Sequence, residues 1–216
     1  MQLSFVSQPR YRLQFVGKRT IDILGAGIGI LLLSPLMLAI ALVIFLDSPG
    51  PVFFRQERLG RGGKPFLIWK FRTMVVNAEQ LLQDLEHLNE SDGGILFKMK
   101  DDPRVTRVGK FLRRTSLDEL PQLFNIIQGH MSLVGPRPLQ LRDCTLAIAE
   151  YQNAFTKRLE LLPGVTGLWQ ISGRSEVSFD YMLHLDTIYR DRWSLWLDLW
   201  IIWQTLIVVM TGKGAY

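Results

Sequence analysis

The sequence predicts an α-dominated α+β membrane protein of the monotopic kind: a broken membrane helix, a small cytosolic domain with short strands, and amphipathic interfacial helices. Three observations predict it. Residues 23–46, ILGAGIGILLLSPLMLAIALVIFL, carry no charged side chain and are interrupted at their centre by Ser34-Pro35. Residues 193–210, WSLWLDLWIIWQTLIVVM, set four tryptophans at helical spacing. The 145 residues between, 48–192, are polar and rich in turns. This divides the chain into a lead-in (1–16), a re-entrant membrane helix (17–47), a cytosolic domain (48–192) and an interfacial helix with its tail (193–216).

The apolar run would form a helix roughly 36 Å long at about 1.5 Å per residue, against a hydrocarbon core of about 30 Å. It starts too late and runs too long for a signal-peptide core. Length therefore permits a crossing. Pro35 argues for a break, because it removes a donor and frees the carbonyl of Leu31, which the Ser34 hydroxyl could satisfy. The basic residues are balanced as well: Arg10, Arg12, Lys18 and Arg19 precede the run, and Arg55, Arg58, Arg61 and Lys64 follow it. The positive-inside rule holds both flanks in the cytoplasm. A re-entrant helix satisfies both facts; a proline-kinked crossing helix satisfies the first.

The middle region is punctuated by SPGP, GRGGKP, SDGG, DDP, GPRP, LPG and SGR. These turns leave short strands near Val52–Arg55 and Phe66–Phe71, and helices near 77–88, 105–113, 118–128, 139–157 and 179–190. GRGGK (60–64) reads either as a mobile cover or as an ordinary turn. In the C-terminal stripe, Trp193, Trp196, Trp200 and Trp203 share one arc of a helix, and Ser194, Asp198 and Thr205 fall opposite. Indoles favour the headgroup region, so the tryptophans are expected toward lipid and Asp198 toward protein, with Gln204 near the tryptophan arc. A core helix with an aromatic face is the alternative.

Composition narrows the function. Of 216 residues, 48% are hydrophobic and 21% charged, which excludes disorder. The net charge of +5 suits a phosphorylated ligand or an anionic membrane surface and is too diffuse for nucleic acid. Cys144 stands alone, so no disulfide framework or cysteine zinc cage can form, and His87, His130 and His184 are far apart. There is no GxGxxG or Walker loop. Asp101-Asp102 is too slight for a conventional glycosyltransferase metal motif, and no Asp-rich helical motif of a CDP-alcohol phosphotransferase is present.

The stretch TSLDELPQL (115–123), preceded by Arg113 and Arg114, places two adjacent acids before a proline. Ser116-x-x-Glu119 fits a capping box, but a helix starting there would put Pro121 too far inside. Asp118 as N-cap puts Pro121 in the first turn, with Glu119 answering the helix dipole. The other account is chemical: a carboxylate pair facing a phosphate.

The blocks KRTID, GPVFFRQERLG, WKFRTM, DPRVTRVGKFLRRTSLDELPQL, GPRP, LPGVTGLWQISGR and WSLWLD, with the GKGAY end, occur in order along nearly the whole chain. In these blocks the chain resembles the bacterial sugar transferases called monotopic phosphoglycosyl transferases. The resemblance implies transfer of a sugar-1-phosphate from a UDP-sugar to undecaprenyl phosphate with release of UMP. That is the first membrane step of exopolysaccharide, O-antigen or glycoconjugate synthesis, at the cytoplasmic face of the bacterial inner membrane. It implies Asp118 as nucleophile and Glu119 as its partner in binding Mg2+. Lys70, Arg72, Arg113 and Arg137 are implied as phosphate-binding residues, with Arg174 contacting the donor. Asp198 is implied as a metal-shell or orienting group and Asp186 as a further candidate of that kind. Ser34 and Pro35 match the family's break point. The lead-in before the apolar run is short, so the chain reads as a small member or as the catalytic part of a longer protein. The region around 77–101 resembles longer relatives, which points to UDP-glucose or UDP-galactose. Whether two copies form a homodimer is left open. A non-catalytic membrane-tethered scaffold, recruiting anionic lipid or proteins through its basic loops, is the competing class.

Overall fold

The computed structural model describes residues 9–90, 95–173 and 177–211, with side chains from residue 14 onward. Arg174, the SDGG turn and the GKGAY end lie outside the described residues.

Helix α1 (Pro9–Asp47) is one uninterrupted helix with Pro35 inside it, so the backbone break expected at Ser34-Pro35 is not seen. The Ser34 hydroxyl donates to the Leu31 carbonyl at 3.0 Å, the oxygen that Pro35 leaves without its usual donor. It is long and apolar enough to cross a membrane by length and composition. Its outward face is bare: Leu31, Leu32, Leu38, Leu42, Phe45 and Leu46 are exposed. The inward face is used on both sides of Pro35. Before it, Ala26 packs with Phe66, Ile68, Leu123, Ile126 and Met131. Beyond it, Met37, Ile40 and Ile44 pack with Phe71 and Leu112.

Strands β1 (Phe53–Leu59) and β2 (Pro65–Phe71) form an antiparallel hairpin in the register Phe53↔Phe71 to Leu59↔Pro65. Both are longer than the short runs predicted from sequence. Their connection is a 3₁₀ turn in which Gly62 and Gly63 take positive φ, and Gly62 N–H donates to Leu159 O at 2.7 Å. GRGGK is thus a tied turn.

Helix α2 (Ala78–Leu85) is followed by a 3₁₀ turn to Leu88, and α3 (Arg107–Thr115) is capped by Thr106, whose side chain accepts from Gly109 N–H. Then come α4 (Gln122–Ile127), β3 (Ser132–Val134), α5 (Leu141–Arg158), β4 (Gly164–Thr166), α6 (Leu168–Ile171), α7 (Phe179–Arg192) and α8 (Leu195–Thr211). Strands β3 and β4 pair in parallel, Ser132↔Gly164 and Val134↔Thr166. Phe155, Trp169, Phe179, Met182 and Leu183 form a core between α5, α6 and α7.

Two polar side chains fix α4 between its neighbours. Asn125 is fully buried; its Oδ1 accepts from Trp69 N–H and its Nδ2 donates to Leu67 O, so it pairs with the open edge of β2 as a strand would. Arg19 of α1 donates to the Ile126 carbonyl at 2.6 Å and to that of Ile127 at 3.4 Å, capping the end of α4.

On α8, Trp196 is 81% exposed, and Trp200 and Trp203 are exposed too, as the interfacial reading expects. Trp193 departs from it. Its ring stacks on Phe15 at 4.9 Å and its Nε1 donates to Asp198, so it closes the α1–α8 contact. Asp198 is buried, facing protein as predicted.

Candidate functional site

The two adjacent acids do not start a helix. Helix α3 ends at Ser116, which takes the left-handed conformation at φ 56°, ψ 17°, and residues Leu117–Glu119 make a 3₁₀ turn before α4. Pro121 stands at the N-cap position of α4, where its missing N–H costs nothing. The N-cap account of Asp118 is therefore corrected: no side chain caps either helical start here. A non-glycine residue at positive φ costs of order 1–3 kcal/mol and is retained where its surroundings impose it. Here it turns the chain so that Asp118 and Glu119 face inward.

What they face is basic. Lys70 Nζ, from β2, lies 2.7 Å from Glu119 Oε1 and 3.8 Å from Asp118 Oδ2. Arg137, from the loop after β3, reaches the same Glu119 oxygen at 3.2 Å and lies over the Trp169 ring at 5.5 Å. Arg113 sits in the last turn of α3, its Nε donating to Thr73 Oγ1 at 3.0 Å. Gly109 lets that helix approach: a Cβ there would collide with the Thr73 carbonyl.

The two carboxyls differ. Burial raises Asp118, and the Glu119 charge adds to the rise, against the opposing pull of Lys70, Arg113 and Arg137. Burial would raise Glu119 too, but Lys70 and Arg137, by charge and hydrogen bonds together, hold it down to about 2. Glu119 is thus the ionised partner, and Asp118 is the carboxyl with less stabilisation of its charge.

Beside the dyad is a small polar cleft lined by Arg58, Lys70, Glu119, Gln122, Arg137 and Gly164 among others. Arg58 was counted from sequence only as a flanking charge. It is pushed down to about 10 by burial and by the neighbouring Arg137 charge. No periodicity or spacing marks it, since only the fold brings β1 against the loop at 136–138. Arg58, Lys70 and Arg137 line the cleft against the single carboxylate of Glu119, which leaves it with an excess of positive charge, the condition for an oligophosphate ligand.

The other candidates are placed elsewhere. Arg72 is buried and committed to the loop after α1, donating to Ser48 O, Ser48 Oγ and Pro49 O, so it fastens the chain and is turned away from the dyad. The Asp198 carboxylate accepts from Lys18 at 2.7 Å, Tyr189 at 2.6 Å and Trp193 at 3.2 Å. Asp186 pairs with Arg158 at 2.9 Å. Neither has a described contact with Asp118 or Glu119, so the structure does not bring either into a metal shell with the dyad.

Among the described residues, no group of three or more His, Cys, Asp or Glu side chains could hold a metal by itself. The donor set at the dyad is two carboxylates. That fits Mg2+, which is commonly held by one or two carboxylates together with substrate phosphates and water, and does not fit a protein-only cage.

Residues 13–212 match the family described as bacterial sugar transferase. The chain is 45% identical over 201 residues to the galactosyl transferase CpsE of Streptococcus agalactiae, covering 93% of this chain and 43% of that protein. It is 42% identical to the exopolysaccharide production protein ExoY of Rhizobium meliloti, over 93% of this chain and 88% of the relative. It is 41% identical to the UDP-glucose:undecaprenyl-phosphate glucose-1-phosphate transferase of Escherichia coli K12, over 92% of this chain and 41% of that protein. The chain thus spans less than half the length of several relatives it matches.

Proposed function

Because the chain belongs to the bacterial sugar transferase family, we propose that it transfers a sugar-1-phosphate from a UDP-sugar to undecaprenyl phosphate at the cytoplasmic face of the bacterial inner membrane. The observation that carries this is the buried Asp118–Glu119 pair set among Lys70, Arg113 and Arg137. Such a site matches a diphosphate in charge, and it presents one carboxylate beside the cations that would hold the phosphorus under attack.

In the proposed reaction an Asp118 oxygen attacks the sugar-bearing phosphorus of the donor. The bond from that phosphorus to the bridging oxygen breaks, UMP leaves, and an acyl phosphate joins Asp118 to the sugar phosphate. An oxygen of undecaprenyl phosphate then attacks the same phosphorus, the bond to Asp118 breaks, and the carboxylate is restored. Asp118 and Glu119 would hold a Mg2+ jointly with the donor phosphates, supplying charge neutralisation. Lys70 and Arg137 keep Glu119 ionised, and with Arg113 they offset the charge on Asp118 that burial disfavours. Two steps at one residue let a soluble donor and a membrane-bound acceptor meet the site in turn.

The membrane arrangement we propose is re-entrant, both flanks of α1 remaining on the cytoplasmic side. It is supported by the packing of α1 against the same domain before and after Pro35, by the balanced basic flanks, and by the Ser34 bond to the freed carbonyl. Accessibility tags before residue 17 and after residue 48 should both report the cytoplasm; an external N-terminal tag would rule this arrangement out.

The test of the reaction is intact-mass analysis under single turnover with UDP-glucose or UDP-galactose and Mg2+, acceptor omitted. The protein should gain the mass of one hexose phosphate and release UMP, and Asp118→Asn should do neither. If no loaded protein is detected, yet lipid-linked product accumulates once undecaprenyl phosphate is added, the covalent route is refuted. A scaffold would bind anionic vesicles, ignore Mg2+ and give no product from any donor.

A further inference from the structure

Three successive carbonyls of the Pro136–Arg137–Pro138 loop are held from three different elements. Gly164 N–H donates to Pro136 O at 2.9 Å. Arg158 Nη2 donates to Arg137 O at 2.7 Å, and Arg58 Nη1 donates to Pro138 O at 3.3 Å. The prolines have fixed φ and no N–H, so they add no donors with which the loop could hold itself. Its shape is imposed from β4, α5 and β1.

The Arg158 tether is the most heavily built. Its side chain is 4% exposed, and its charge is matched by Asp186, 5% exposed, through an Nε–Oδ2 contact of 2.9 Å. A buried ion pair of this kind is a poor source of stability, since well-packed apolar residues serve as well or better. What the pair supplies is geometry. The Nε of a rigid guanidinium is spent on a carboxylate in α7, and the neighbouring Nη2 is aimed at the carbonyl of the residue whose own side chain lies 3.2 Å from Glu119. Helices α5 and α7 thereby reach the dyad through a single backbone oxygen.

We propose that Arg158 and Asp186 are positioning residues: their pair locks the Pro136–Pro138 loop so that the Arg137 guanidinium stands ready beside Glu119 to receive a donor phosphate. This rests on the reading of Arg137 as a phosphate-binding group. Neither residue touches the reacting atoms. Asp186 sets the orientation of Arg158, Arg158 sets the backbone of Arg137, and Trp169 supports the Arg137 side chain from beneath. This gives Asp186 a role in place of the metal shell that resemblance implied for it.

The experiment is a double-mutant cycle on the full chain in lipid nanodiscs, with UDP-glucose and UDP-galactose as donors, reading UMP release and thermal midpoint. Arg158→Lys keeps the charge opposite Asp186, but an ammonium cannot span carboxylate and carbonyl as the guanidinium fork does. It should lower kcat/KM by about 10- to 100-fold, the scale of a small misplacement of a binding group, with the thermal midpoint unchanged. Combined with Arg137→Ala it should cost nothing further, because the group being positioned is gone. Asp186→Asn leaves the buried Arg158 charge without its counter-ion and should lower the thermal midpoint as well, but its loss in kcat/KM, read below that midpoint, should likewise vanish in the Arg137→Ala background, so it carries the cycle if the lysine variant does not fold. Equal losses with and without Arg137, or failure of both variants to fold, would assign the pair to stability alone and overturn the proposal. Full activity in Arg137→Ala would instead refute the reading of Arg137. An impaired Arg137→Ala beside fully active Arg158→Lys and Asp186→Asn would refute only the positioning role.

Discussion

Replacing Lys70 by methionine removes the cation nearest both carboxyls while keeping most of the side-chain volume. At an effective dielectric of about 20, a unit charge 3.8 Å from Asp118 Oδ2 is worth about 4 kcal/mol to the ionised form. Arg113 and Arg137 remain, and water entering the space left by the ammonium offsets part of the loss. A rise in the pH at which the Asp118 carboxyl ionises is the expected net effect, because the form that Lys70 stabilises is the charged one. The sign follows from the site. Burial already raises Asp118 and Lys70 is the largest group lowering it, so its removal extends the pH range in which the nucleophile is protonated and inactive. The acid limb of the kcat profile for UMP release should therefore move to higher pH in Lys70→Met, and activity should recover partly under alkaline conditions. A uniform loss at every pH, with the acid limb unmoved, would refute the electrostatic role and leave Lys70 as a substrate contact only.

Three further outcomes follow from the geometry. Asp198→Ala takes from Lys18 its bonded carboxylate in a largely buried site, leaving that of Asp22 one turn along α1, and should destabilise the protein by about 1–3 kcal/mol, read as a drop in thermal midpoint, while Lys18→Met combined with Asp198→Leu should recover part of it. Ser116→Gly should fold and turn over normally, because glycine accepts φ 56° freely, whereas Ser116→Val should lower the thermal midpoint by several degrees, a β-branched residue there costing about 1–3 kcal/mol. Burial raises Asp143 to about 6, against the pull of Arg58, so the folded state holds its proton more tightly than the unfolded chain. Its contribution to stability is therefore fully present at low pH and is lost as pH rises from 3.8 to about 6; thermal melts of Asp143→Asn should show a smaller decline across that window than the parent protein.

Much of this was legible in the residues because the features concerned are local. The length and apolarity of α1, the outward turn of Trp196, Trp200 and Trp203, and the inward turn of Asp198 follow from helical period alone. The Ser34 bond to Leu31 O follows from the carbonyl that a proline frees. What periodicity could not give was long-range. Strands β3 and β4 are three residues each, too short to show alternation, and they pair across some thirty positions. Asn125 looks like any helical polar residue until the edge of β2 is laid beside it. Arg72 and Arg58 are both arginines of the N-terminal blocks, yet one is consumed by Ser48 and Pro49 while the other lines the cleft. Only the path of the chain decides between them. The dyad itself was visible as a pair of acids, but its local conformation was misjudged, because a capping pattern and a 3₁₀ turn after a left-handed serine use the same letters.

The contrast between Asp118 and Glu119 gives that turn its purpose. Were both in one α-helix as cap and first-turn acid, the helix dipole and solvent would stabilise both charges and neither would be a strong nucleophile. The turn instead puts both out of water and lets Lys70 and Arg137 converge on one of them, the same Oε1 of Glu119. Glu119 then remains ionised at any physiological pH, and Asp118 carries the cost of burial with less relief. A carboxylate whose charge is poorly solvated gains by sharing it with phosphorus, and the cations already assembled for Glu119 are positioned to receive the phosphate oxygens as that bond forms. Glu119→Gln should therefore do more than remove a candidate metal ligand. With its charge gone, Lys70 and Arg137 are released toward Asp118 and hold its carboxylate more firmly. Attack on the donor should slow even where donor binding, measured by equilibrium titration with UDP-glucose, is retained. If Glu119→Gln lost donor binding in proportion to rate, Glu119 would be a ligand-holding group alone, and this division of labour would have to be abandoned.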